Sequence, residues 1–260
     1  MSNDDLAVWT EAADKELLVL VSRYQNASGI LMKIANFVGS KTESALNAVP
    51  EVRDLIAKGT TIGLRNAYSV SSTVRGASIV PNTGSWANKV GVVVSGAAGG
   101  FAGLAGTIVE IPATVTMILG AIQRVAAKHG FDTADERVKM ECLAVFASGG
   151  PLREDDDAEL AFFAHRFAVN GVTVSALINA VAPKLAALIG QKLASQAVPV
   201  LGAVSGAAVN YAFISYFEEM AEVRFGLRKL GASFGSDRVA EQFRLSVLEA
   251  RQNKKSSRLV

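Results

Sequence analysis

The chain has 260 residues, of which 50% are hydrophobic and 19% are charged, so it can form a large core with few charges around it. The net charge of +2 is too small to indicate a nucleic-acid partner, because such proteins usually carry a strongly basic surface. The single cysteine, Cys142, excludes an internal disulfide and fits a reducing cytoplasm. The first 18 residues are acidic and lack an early apolar run, so they do not resemble a secretory signal.

The N-terminal region predicts one long helix followed by broken structure. Apolar side chains at spacings of three and four mark one helical face over residues 4–24. These side chains are Leu6, Trp9, Ala13, Leu17, Leu20 and Tyr24. Glycine, asparagine, serine and Pro50 interrupt residues 25–60, and residues 60–75 fit either a short helix or an extended segment.

Two uncharged blocks, Val90–Val109 and Leu193–Phe217, are 20 and 25 residues long, which is about the length that crosses a bilayer. Six glycines in the first block make it a poor membrane span. Prolines are expected to break or start helices at three positions, Pro112, Pro183 and Pro199. Three interpretations stay open: a buried core of helical hairpins, a membrane-dipping or peripheral assembly, and a multi-span protein. The composition favours the first.

Glu110 is the acid that ends the first block, two residues before Pro112. It fits a first-turn acid near the N-terminus of the next helix, where the helix dipole favours negative charge. Two other interpretations are a buried acid with a shifted pKa that serves a ligand or ion, and a partner for a distant arginine. Glycines four residues apart in the same block, Gly99 and Gly103, would let two helices approach closely.

The C-terminal half predicts further helices. Thr133 and Glu136 are spaced as a capping box for a helix that ends at Gly149-Gly150-Pro151. Further helices are expected over 155–169, 211–230 and 236–250, and the basic residues 251–260 are expected to form a disordered tail. No alternating strand pattern of useful length is present. The fold class is therefore all-α, a single compact helical bundle with glycine-rich apolar hairpins, in a domain spanning 1–250.

Catalytic and metal motifs are weak. Residues 231–235 read G-x-S-x-G around Ser233, but they follow a helix and no sheet, so a helix-to-helix turn is expected. His129 and His165 are the two histidines, and neither has the spacing of a zinc site. Cys142 lies on the apolar side of its helix, where an inert thiol is the common case. No catalytic residue, metal or cofactor is predicted.

Several segments together resemble the EcsC family of bacterial proteins. The resemblance runs from about residue 90 to 230, and the N-terminal third matches more weakly. The matching segments are Glu110–Pro112 after the glycine-rich run, Arg137–Phe146, Glu159–Arg166, Pro199–Phe213 and Ala221–Leu230. The family commonly has a histidine where this chain has Arg224, which argues against a metal or acid–base role there.

The resemblance implies a helical protein linked to transport or the membrane, and it implies no reaction; the family is named for a gene beside the two components of an ABC transporter. The expected function is a non-enzymatic protein at the inner face of the bacterial membrane, peripheral to it from the cytoplasm, that binds lipid or a membrane partner. The alternatives are a soluble carrier of a hydrophobic ligand and a hydrolase that uses Ser233, Cys142 or Glu110. The candidate ligand- or partner-binding residues are Gly99, Gly103, Gly106, Glu110, Pro112, Asn210, Arg224 and Arg228.

Overall fold

The computed structural model describes residues 7–38, 50–73, 111–146, 173–196 and 202–256. These ranges contain seven α-helices and no strand, which confirms the predicted all-α fold class. In chain order the helices are α1 (Glu11–Val38), α2 (Pro50–Thr73), α3 (residues 111–128), α4 (Glu136–Val145), α5 (Val174–Gln196), α6 (Gly202–Phe234) and α7 (Ser236–Ser256).

Helix α6 is the central element. Its 33 residues give a length of about 50 Å, and it packs against α1, α4, α5 and α7. Ion pairs and the contact between Ala121 and Ile214 also join it to α3. Helix α2 lies farther out, against α4 and α5. One continuous apolar cluster includes buried residues from all seven helices, so the described helices share a single core.

Aromatic side chains fill the core around α6. Phe217 of α6 lies 5.1 Å from Phe146 at the end of α4, measured between ring centroids. Elsewhere in the core, Tyr24 of α1 meets Phe243 of α7 edge to face at 5.8 Å. All four rings are buried. Such pairs add specific geometry to the large apolar area that each ring removes from water.

The N-terminal helices are longer than the sequence pattern predicts. The expected helix over 4–24 begins at Glu11, where the Thr10 hydroxyl accepts from the Ala13 amide, and it continues to Val38. The expected interruption of residues 25–38 is wrong: Ala27 is fully buried in the core, and this packing offsets the poor propensity of the neighbouring residues. Pro50 starts α2 at a position where its missing amide costs nothing.

The start and end of α4 also differ from the prediction. The N-cap is Asp135, whose side chain accepts from the Arg137 amide at 2.7 Å, and not Thr133. Thr133 lies in the preceding turn, which Asp132 closes by accepting from the Ala134 amide at 2.9 Å. The helix ends at Val145, four residues before the predicted glycine stop, because the Phe146 amide bonds back to Leu143 while its ring enters the core.

Three further boundaries correct the sequence prediction. Pro183 lies inside α5 and does not end it; it is exposed, so the carbonyl that loses its helical partner can be hydrated. Helix α6 extends the predicted 211–230 segment to Phe234, and Gly235, with φ of 89°, makes the turn into α7. Helix α7 continues to Ser256, so residues 251–256 are helical where a disordered tail was expected.

The apolar block Val90–Val109 and the predicted helix over 155–169 lie outside the described residues.

Helices α2 and α3 meet at a close contact through Gly63. A Cβ atom at this position would lie 3.0 Å from Pro112 Cα and 3.2 Å from Val115 Cβ. Because the first of these atoms belongs to the backbone, a larger residue would force the helices apart. Within the five described ranges, no helix combines the length and the apolar character needed to cross a bilayer.

Two glycine-to-alanine substitutions in helix interiors test this packing. Gly63→Ala is expected to lower the free energy of unfolding by about 1–2 kcal/mol, because the added methyl group overpacks the α2–α3 contact. Gly29→Ala is the matched control: nothing lies within 4 Å of its Cβ position, so the higher helix propensity of alanine should stabilise the chain by about 0.5–1 kcal/mol. Urea unfolding of both variants checks the opposite signs, and stabilisation by both would contradict the contact.

Candidate functional site

Helix α6 changes character along its length. Its first half, residues 202–217, has no charged side chain, whereas the second half carries both acids and cations. Since α6 lies at the centre of the bundle, several of these charges are removed from water and need partners on neighbouring helices. The pairs that they form are the main polar feature of the described structure.

Glu141 of α4 faces Arg224 and Arg228 of α6, and these three residues are called here the ionic cluster. Glu141 and Arg224 are each 3% exposed, and the Arg228 side chain is 26% exposed. Arg228 Nη1 lies 3.0 Å from Glu141 Oε2. The two arginines are one helical turn apart, so both guanidinium groups act on the same carboxylate.

Burial dominates the electrostatics of the ionic cluster. It raises the pKa of the Glu141 carboxyl, and the positive charges of Arg224 and Arg228 only partly oppose this rise. Burial likewise lowers the pKa of Arg224 to about 10, although the negative charge of Glu141 acts in the other direction. Arg224 therefore stays charged at neutral pH. Such a cluster adds little net stability when complete, but it becomes costly when one partner is lost.

Aromatic packing fixes the outer arginine. The Arg228 guanidinium carbon lies 4.3 Å from the centre of the Phe131 ring, a cation–π contact. Phe131 in turn packs on Phe225 of α6 at 5.4 Å. Glu141 Oε2 and Arg228 Nη1 have no well-aligned hydrogen-bond partner among the described residues, although they are at ion-pair distance. Opposite charges and aromatic packing hold α4 against α6 here.

The nucleophiles considered from the sequence are poorly placed for chemistry. Cys142 is fully buried beside the ionic cluster, and burial raises the pKa of its thiol, so the thiol is protonated at neutral pH. Ser233 is exposed in the last turn of α6, and no strand precedes it as a nucleophile elbow requires. The described ranges also contain no group of three side chains placed to hold a metal ion.

A second set of ion pairs joins α6 to α3. Lys128 Nζ and His129 Nε2 approach the Glu222 carboxylate at 2.6 Å and 2.9 Å. The hydrogen bond from His129, with a further contribution from Lys128, lowers the pKa of Glu222 to about 2 against the opposing effect of burial. Lys128 is the last residue of α3, where the helix dipole also favours positive charge. Glu219, one turn earlier on α6, makes a corresponding pair with Arg23 of α1 at 2.9 Å.

The structure brings together only part of the predicted site. Arg224 and Arg228 lie in the ionic cluster, whereas Pro112 is at the start of α3 and contacts Gly63. Asn210 is 14 residues before Arg224 on the same helix, a separation of about 21 Å along the axis. The other four predicted residues, Gly99, Gly103, Gly106 and Glu110, lie outside the described residues.

Glu141 is the member of the ionic cluster that the sequence prediction missed. The signal was present: Glu141 follows Val138 by three residues and precedes Val145 by four, so it shares their buried helical face. An acid on the apolar side of a helix needs a cationic partner, and α6 has two cations one turn apart. Sequence spacing alone does not say which helix supplies the partner.

Together the fold and the ionic cluster define an all-α protein whose charged centre is structural. Residues 81–230 match the family model described as the EcsC protein family. The chain therefore belongs to the EcsC family, which confirms the resemblance predicted from its segments. No curated protein matches the chain, and no solved structure matches it.

Removing the charge of Glu141 tests the ionic cluster. Glu141→Gln leaves the buried Arg224 without the carboxylate beside it, so the free energy of unfolding should fall by about 3 kcal/mol. Glu241→Gln makes the same chemical change at an exposed pair with Arg244 and should alter stability little. Chemical unfolding at neutral pH compares the two variants, and equal stability losses would contradict a structural role for the buried carboxylate.

The Glu222 pair predicts a specific acid sensitivity. The unfolded carboxylate takes up its proton at higher pH than the folded one, so the unfolded chain binds more protons between about pH 4.5 and pH 2. The stability that the pair contributes is thus complete above this window and is lost as the pH falls through it. At pH 6, Glu222→Gln should be less stable than the wild type by about 1–2 kcal/mol. The difference should vanish near pH 2, and a difference that stays constant under acid would contradict the pairing.

Proposed function

We propose that this EcsC family protein is a non-enzymatic helical protein that binds an anionic membrane surface, at the inner face of the bacterial membrane. The observation that carries the proposal is the cationic C-terminal end of α7. After Glu249 the chain has no further acid, and Arg251 and Lys254 lie in the last turns of the helix. Lys255 and Arg258 follow in the sequence.

The end of α7 is attached to the body of the protein, which supports a role for its charges. The Arg251 guanidinium lies 6.0 Å from the centre of the Tyr24 ring, and its Nη2 approaches the Tyr24 hydroxyl at 3.4 Å. Lys254, one turn further on, is exposed. Basic side chains held near an anionic bilayer contribute about 1 kcal/mol each, and salt weakens this attraction.

The absence of a catalytic arrangement among the described residues makes binding the simpler function to propose. The described histidine, His129, pairs with Glu222, and Cys142 is enclosed in the core. The buried carboxylate of Glu141 is paired inside the bundle. Surface charge is what remains available to a partner, and a lipid surface is the partner that a short cationic cluster fits without a specific pocket.

Vesicle binding tests the proposal. The protein should sediment with vesicles of phosphatidylglycerol and phosphatidylcholine at low salt, stay in the supernatant with phosphatidylcholine alone, and be released by high salt. Lys254→Gln should weaken the binding about fivefold, since one charge near the surface is lost. Lys15→Gln is the matched control, because Lys15 is on α1 and pairs with Glu11. If the wild type ignores the anionic vesicles at low salt, the proposal fails.

A further inference from the structure

The outer side of α2 combines large exposed aliphatic groups with basic groups. Leu55 is 49% exposed and Ile62 is 52% exposed, and both lie on the solvent side of the helix. Lys58 and Arg65 are exposed at the intervening spacings, so the four residues at positions i, i+3, i+7 and i+10 form one line along the helix. These four residues are called here the α2 stripe, and the stripe is about 15 Å long.

The inner side of α2 fixes the direction in which the stripe faces. Ile56, Thr60, Leu64 and Ala67 are buried, and Gly63 is pressed against α3. Even the polar member of this buried side is satisfied within the helix, because the Thr60 hydroxyl donates to the Ile56 carbonyl at 2.7 Å. Rotating the helix to hide Leu55 and Ile62 would expose this set, so the aliphatic groups stay at the surface.

Charge distinguishes the α2 stripe from the exposed aliphatic groups on α1 and α7. Two acids, Glu51 and Asp54, precede Leu55, but from Leu55 to the end of α2 the sequence has two cations and no acid. On α7, Leu245 lies between Glu241 and Glu249, one helical turn away on either side. An anionic surface would repel that position and attract the stripe.

Leu18 and Val19 on α1 likewise have acidic neighbours. Asp14 lies one turn before Leu18, and Glu16 lies one turn before Val19. The lysine between those acids, Lys15, pairs with Glu11 at 2.8 Å. The pair Leu18 and Val19 therefore offers similar aliphatic area without the matching positive charge, which makes it the natural control.

We propose that the α2 stripe docks on an anionic lipid surface, with Leu55 and Ile62 entering the boundary between headgroups and acyl chains. Lys58 and Arg65 then extend their apolar stems along the bilayer and keep their charges at the phosphate level. This inference rests on the proposed membrane function and names the face that performs it.

The test uses the full chain, with two double variants that each replace two exposed aliphatic residues. Leu55→Ser with Ile62→Ser should weaken binding to phosphatidylglycerol-containing vesicles at least tenfold, because apolar area no longer leaves water on docking. Leu18→Ser with Val19→Ser should bind like the wild type. Lys58→Gln with Arg65→Gln should weaken binding about 30-fold and reduce its dependence on salt. Thermal unfolding checks that these surface changes leave the fold intact.

Each other outcome contradicts the inference in a recognisable way. If the wild type binds anionic vesicles and the α2 variants bind equally well, the docking face is wrong while the membrane function stands. If the wild type does not bind at all, both the function and the face are wrong. If the α2 variants keep vesicle binding but turn a dimer into a monomer in sedimentation velocity, the stripe is a contact between two copies of the chain.

Discussion

The structure depends on one constraint: its central helix is both buried and charged. Helix α6 packs against most of the other described helices, yet its second half carries acids and arginines that cannot be left unpaired away from water. Three of its neighbours supply partners at specific heights along the helix. Arg23 of α1 meets Glu219, the end of α3 meets Glu222, and Glu141 of α4 meets the arginines. We infer that these pairs, together with the aromatic contacts, set the height at which α1, α3 and α4 pack along α6.

This constraint also separates the structural charges from those available for function. The residues with the most perturbed pKa values are usually the first candidates for catalysis. In this chain the charges of Glu141 and Arg224 act on each other inside the bundle. The thiol of Cys142 beside them is buried and protonated. We therefore propose that function lies at the surface, where α2 and the end of α7 carry exposed basic groups. The proposal of membrane binding follows from this division between inner and outer charge.

The fold class was predictable because periodicity at three and four residues recurs along the chain, and the buried face of α4 was predictable for the same reason. Helix boundaries were not. Burial of Ala27 in the core supports α1 through the region of Gly29, and Pro183 is tolerated inside α5 because it faces water. The local sequence does not show either environment. Arg224 and Arg228 were found through the family resemblance, whereas Glu141 needed the α4–α6 contact. The α2 stripe was missed because residues 50–73 were divided between a broken region and an ambiguous one. The proposed roles of a carrier or a transporter partner stay predictions.

Hydrogen–deuterium exchange of the full chain, with and without phosphatidylglycerol-containing vesicles, tests the division between a fixed charged centre and a binding surface. Amides of α6 from residue 216 to 230 should exchange slowest in both conditions and should not change when vesicles are added. Amides of α2 and of the C-terminal turns of α7 should gain protection on the vesicles. Faster exchange around Glu141 and Arg224 with vesicles present would contradict the account, because the ionic cluster would then open during binding. Unchanged exchange throughout the chain would contradict it as well.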